Sequence, residues 1–157
     1  MIVKTTTSRT IRYQAGFSLV EVLIALVIMS VGMLGIAGLY VEGMKAGRTS
    51  TFRHHAVTLA SDVADRIRAN PTAGVDYEGA RGNNNCVLGN VDCTPAQMAA
   101  NDIDLWLTQA DEMLPNGNIA ITFDDTVTPN TYQIDVTWDE AGETAPSYSI
   151  IIPVNPF

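Results

Sequence analysis

Ala15-Gly16-Phe17-Ser18-Leu19-Val20-Glu21-Val22-Leu23-Ile24-Ala25-Leu26, followed without a break by Val27-Ile28-Met29-Ser30-Val31-Gly32-Met33-Leu34-Gly35-Ile36-Ala37-Gly38-Leu39-Tyr40, is the stretch that decides the fold. Between Phe17 and Tyr40 only Glu21 is charged. At a rise of about 1.5 Å per residue, a helix over these residues is roughly 36 Å long. The hydrocarbon core of a bilayer is about 30 Å thick, so the segment spans it with some tilt. A helix buried inside a soluble domain is the alternative. It fits less well, because such helices seldom carry a near-continuous apolar run of this length close to the start of a chain.

Glu21 is the exception within the run. A carboxylate in an apolar span costs roughly 2.5–3.5 kcal/mol at the bilayer centre and less near an end, so it calls for a partner. A cut between Gly16 and Phe17 would create an α-amino group one helical turn before Glu21. In an array of such helices that amine can meet the Glu21 of a neighbouring chain, and two poorly solvated charges then neutralise each other. The alternative is a glutamate that snorkels to the interface unpartnered.

Gly16-Phe17-Ser18-Leu19-Val20-Glu21, after a short basic leader and before a long apolar helix, resembles the class III signal of type IV prepilins and pseudopilins. The resemblance implies that a membrane-embedded prepilin peptidase cuts between Gly16 and Phe17. It further implies that Phe17 becomes N-methylphenylalanine and that Glu21 guides subunit docking. The partners it implies are other minor and major pilins, the assembly platform in the inner membrane, and the lipid bilayer.

Charge is unevenly distributed along the 157 residues, whose formal net charge is −8. Residues 1–16 hold Lys4, Arg9 and Arg12 and no acid. Residues 17–75 hold five bases against four acids, and residues 76–157 hold thirteen acids against Arg81 alone. So acidic a C-terminal part argues against a nucleic-acid partner, because phosphate binding needs Lys and Arg. The excess suits a solvated surface or, alternatively, a basic groove on a partner subunit.

The leader has the wrong order for a conventional secretory signal. Its small residues, Ala15-Gly16, precede the apolar run instead of following it, so cleavage there retains the helix. Lys4, Arg9 and Arg12 before the run are matched by Lys45, Arg48 and Arg53 after it, so the positive-inside rule gives no orientation. A cytoplasmic N-terminus follows from the resemblance and from the cysteines. Gly32, Gly35 and Gly38 either let neighbouring helices approach closely or soften the helix; pilins often have a proline in this region, and none stands here.

Past about Val41 the helix turns amphipathic. Phe52, Ala56, Leu59, Ala60, Val63 and Ile67 share one face, while Arg53, His54, Asp62, Asp65, Arg66 and Arg68 fall on others. Asn70-Pro71 ends the pattern, which predicts one helix over Phe17–Ala69. His54 and His55 point about 100° apart on a helix and do not close a metal site.

Residues 71–93 form a Gly- and Asn-rich loop. It holds Cys86 and Cys93, too few ligands for structural zinc. A disulfide closing this loop, in an oxidising compartment such as the periplasm, or two free buried thiols account for the pair. Thr94-Pro95-Ala96-Gln97 opens a second helix with a capping box and a proline at its first position. Its apolar face is Ala99, Ile103, Trp106, Leu107, Ala110, Met113 and Leu114, with Asp102, Asp104, Thr108, Asp111 and Glu112 mostly opposite, and Pro115-Asn116-Gly117 ends it. Three alternating stretches follow, at 118–123, 131–138 and 147–152, separated by turn residues.

The predicted fold is α+β, a type IV pilin-like ladle. A long N-terminal helix packs on a small antiparallel sheet of about three strands, with a further helix and a disulfide loop. The expected division is a cleaved leader at 1–16, a transmembrane and filament-core half at 17–41, and a periplasmic globular part at 42–157. The tail, with Leu114-Pro115-Asn116-Gly117 before one strand and Tyr132-Gln133-Ile134-Asp135-Val136-Thr137-Trp138 in the next, is similar to that of a class of minor pilins, which implies a role in initiating the filament. No hydrolase, metalloprotease, P-loop or dinucleotide motif is present, so no catalytic residue, cofactor or metal ligand is assigned. Asp124-Asp125 and Asp139, Glu140 and Glu143 lack EF-hand spacing and suit acidic turns. A type II secretion pseudopilin and a single-pass anchored binding domain are the other functions compatible with these features.

Overall fold

A computed structural model describes residues 16–87, Gly89 and residues 91–154. The leader lies outside the described residues, apart from Gly16. The elements, in order, are α1 (Leu19–Ala69), a 3₁₀ turn (Gly74–Glu78), α2 (Pro95–Met113), and strands β1 (Asn118–Asp124), β2 (Asn130–Thr137) and β3 (Ser147–Val154). This is an α+β fold, with the second helix, the three-stranded antiparallel sheet and the disulfide in their expected places. The chain divides into two compact units, Met1–Met44 and Lys45–Phe157.

In the first unit, α1 begins at Leu19, two residues later than the sequence pattern suggests. The Val22 N–H donates to the Ser18 carbonyl across 3.2 Å, which closes the first turn. The helix runs unbroken through Gly32, Gly35 and Gly38. An 18-residue window of α1 has mean hydropathy 2.6, and none of that window is buried.

The second unit holds the core. Ala56, Leu59, Ala60, Val63, Ala64 and Ile67 of α1 are buried, at the 3- and 4-residue spacing of one helical stripe. They share a single cluster with Ala99, Ile103, Trp106 and Ala110 of α2 and with Tyr132, Ile134 and Val136 of β2. The sheet order is β1-β2-β3, antiparallel throughout, with Ile121 opposite Ile134 and Ile134 opposite Ile150. β2 is central and buries every second residue, as alternation requires of a one-faced sheet. β3 runs two residues past the predicted stretch, through Pro153 to the buried Val154.

The 71–93 segment is more structured than its Gly and Asn content suggests. The 3₁₀ turn at Gly74–Glu78 puts Tyr77 into the core, 2% exposed and stacked on Trp106 with ring centres 5.7 Å apart. Gly74 adopts φ +52°, a left-handed conformation that favours glycine. Its carbonyl accepts from the Tyr132 hydroxyl at 2.9 Å. Cys86 and Cys93 form a disulfide that closes the remainder. α2 opens with the complete capping box: Gln97 N–H donates to Thr94 Oγ1 at 3.3 Å, and Thr94 N–H donates to Gln97 Oε1 at 2.9 Å.

Candidate functional site

Gly16, Phe17 and Ser18 precede α1 in irregular backbone, and Glu21 lies in the first turn of the helix. The N-terminal end of a helix leaves N–H groups unpaired and carries partial positive charge, so a carboxylate in the first turn is well placed. Phe17 and Glu21 line one shallow groove together with Val22, Ala25, Leu26 and Met29. Phe17 is 83% exposed, and the apolar residues that follow it, Leu19 to Met44, are exposed as well. Gly16 and Phe17 are thus exposed and lie outside regular structure, with the helix starting just beyond them.

The structure does not join the other sequence-predicted pair, Cys86 and Cys93, to any reacting group. Their disulfide has a Cα–Cα distance of 5.8 Å and staples the loop ahead of α2, where the Cys86 and Asn84 N–H groups both donate to Asn101 Oδ1. His54 is exposed and His55 half-buried, with ring centres 6.2 Å apart.

A polar cluster that the sequence pattern put on outward faces is turned inward. Arg66 was expected on a polar face of α1 and Asp102 largely on the polar face of α2. In the fold Arg66 donates from Nη1 to Asp102 Oδ1 at 3.0 Å and from Nε to Asp62 Oδ2 at 3.2 Å. Trp106 Nε1 donates to the same Asp62 oxygen at 3.1 Å, and the Tyr77 hydroxyl donates to Asp102 Oδ2 at 3.2 Å. Asp102 is 2% exposed. Burial pushes its carboxyl above the usual carboxylate range, against the pull of Arg66. Burial likewise pushes the Tyr77 hydroxyl up. Every buried charge here has a partner, which is what makes its burial tolerable. The signal was in the spacing. Asp102 lies three residues after Ala99 and four before Trp106, and Arg66 lies three after Val63, so both sit on the apolar stripes despite their charge.

Comparison with known families agrees with this arrangement. Residues 11–37 match the prokaryotic N-terminal methylation motif. Residues 38–104 match the type IV pilin Tt1218 family. The chain is thus similar to a class III signal over its start and to a type IV pilin domain over the segment that follows. The motif covers Gly16, Phe17 and Glu21, and the pilin match takes in the rest of α1, the disulfide loop and the start of α2. The sheet, from Asn118 onward, lies beyond both matches. No curated protein and no solved structure matches the chain. A pilin family is a structural one, and a prepilin-type signal implies processing by a prepilin peptidase and assembly with other pilins. The motif and the uncovered apolar helix fit a membrane-anchored pilin that later enters a filament.

Proposed function

We propose that this chain is a minor pilin of the type IV pilus, of the kind represented by the pilus modification protein PilV, and that it helps to initiate the filament. Prepilin peptidase cuts between Gly16 and Phe17, and Phe17 is N-methylated. Before assembly the apolar half of α1 lies in the inner membrane, with the globular unit in the periplasm, where the disulfide is stable. On extraction by the assembly platform, the same apolar surface leaves lipid and packs against the helices of other pilins. Glu21 then neutralises the methylated amine of an adjacent Phe17. No cofactor and no nucleic acid enters this scheme.

The observation that carries the proposal is Glu21, the one charge between Phe17 and Tyr40, in the first turn of a helix whose apolar N-terminal stretch is uncovered among the described residues. The domain division expected from sequence, at 41/42, belongs to the same proposal.

Intact mass of the protein from membranes, with and without the prepilin peptidase, tests it first. Loss of residues 1–16 plus one methyl group, only when the peptidase is present, is the expected result. A full-length mass in both strains, or a cut after the apolar run, overturns it. A deletion strain then separates the pilus from a type II secretion pseudopilus. Loss of pili supports the proposal, and loss of protein secretion with normal pili overturns it in favour of the pseudopilin.

A further inference from the structure

β1 and β3 flank β2, so each leaves one edge of the sheet unpaired. In an antiparallel strand the N–H and C=O of one residue point to the same side, and the side alternates along the strand. The Phe123 N–H donates to Glu78 Oε1 at 2.6 Å and therefore points away from β2. The backbone groups of Ile121 and Ile119 point the same way. Among the described residues, only Phe123 of these three donates outward to a partner. The register carries the same parity across the sheet: with Ile121 opposite Ile134 and Ile134 opposite Ile150, the outward residues of β3 are the odd-numbered ones, including Pro153. Proline has no N–H to offer, so the β3 edge is blunted where the β1 edge is not.

The β1 edge opens on a groove of about 250 Å³. Ile103, Trp106 and Leu107 of α2 contribute to its lining beside Ile119 and Ile121, and the segment from Tyr77 to Arg81 forms another part of it. A strand added at the usual 4.7–4.9 Å spacing would lie in this groove, with alternate side chains directed to the apolar lining. Charge is lopsided around it. Asp76, Glu78, Asp124 and Asp125 lie in the turn and at the strand end near Phe123, while Arg81 is already held by Asp104 at 2.8 Å.

We propose that the β1 edge is a strand-addition site: it takes a short extended segment of another polypeptide, apolar on the side facing α2 and with lysine or arginine at the end nearest Phe123. Glu78 occupies the last outward N–H of the edge and sets where the added strand stops. The site lies entirely within the globular unit and does not depend on the chain entering a filament.

Two five-residue peptides alternating valine and threonine, one ending and one beginning with lysine, test this against the mature protein in detergent micelles, because strand direction is open. Amide hydrogen exchange at Ile119 and Ile121 is the readout. One of the two peptides is expected to slow exchange at both amides by about tenfold or more, with Ile151 on the other edge unaffected. Methylating the backbone nitrogens that face β1 should abolish the effect. Replacing the peptide lysine by glutamate should weaken binding about two- to fivefold, a difference that Glu78→Gln reduces. No slowing with either peptide, slowing that survives N-methylation, or slowing at Ile151 instead overturns strand addition at β1. Equal binding of the lysine and glutamate peptides overturns the basic partner.

Discussion

Leu23 and Val63 are both aliphatic residues of α1, yet Leu23 is 54% exposed and Val63 is 0% exposed. The difference lies in their surroundings. Around Val63 the chain supplies its own cover, from α2 and β2. Leu23 stays exposed among the described residues. Burying an aliphatic side chain is worth about 1.5–3 kcal/mol, so the uncovered residues of the first unit represent a large driving force that the chain leaves for lipid or other helices to satisfy. The second unit has already used its own.

The comparison predicts that a charge change in the first unit alters assembly without altering folding. Glu21→Ala should leave processing intact and lower incorporation into filaments by about a hundredfold, the scale of breaking a poorly solvated ion pair. Quantifying the mature chain in sheared pili against membranes checks it, and normal incorporation would remove Glu21 from docking.

Core truncations should divide the two units. Trp106→Ala, which empties a site contacted by Tyr77 and bonded to Asp62, should cost about 3–5 kcal/mol. Leu23→Ala should leave the same unfolding transition within about 0.5 kcal/mol. Thermal melts followed by the remaining Trp138 fluorescence would show it, and a large effect of Leu23→Ala would mean that the apolar half of α1 is covered after all.

The disulfide should matter less than the core. Cys86 and Cys93 are seven residues apart, and closing so short a loop stabilises by about 2 kcal/mol. Cys86→Ser with Cys93→Ser should lower stability by that amount and leave the mass shift of processing unchanged.

The last effect is a pH limb. Burial pushes the Tyr132 hydroxyl up to about 12 from its ordinary value near 10. Its contribution to stability is complete below pH 10 and is lost as pH rises from there toward 12, because the unfolded chain ionises first. Tyr132→Phe should flatten that limb in a denaturant series, and an unchanged slope would place the titration elsewhere.

Much of this was legible in the sequence, and the misses are instructive. The apolar run, the Thr94–Gln97 capping box and the alternation of β2 are local patterns, and local patterns survive folding. Arg66 and Asp102 were placed outward because their inward position depends on one another and on Tyr77, across α1, the 3₁₀ turn and α2. A polar residue on an apolar stripe is outward by composition and inward by geometry, and only a partner on another element decides between them. For the proposed site, the sequence motif alone points to Gly16, Phe17 and Glu21. The open β1 edge could not be foreseen, since it depends on which strand is central.

The buried stripe Ala56, Leu59, Ala60, Val63, Ala64 and Ile67 bears on exchanging parts between related chains. A hybrid joined after Ala69 would pair one protein's helix with another's sheet and would have to fit six side chains it never met. A junction ahead of Lys45 transfers helix and sheet as one inheritance.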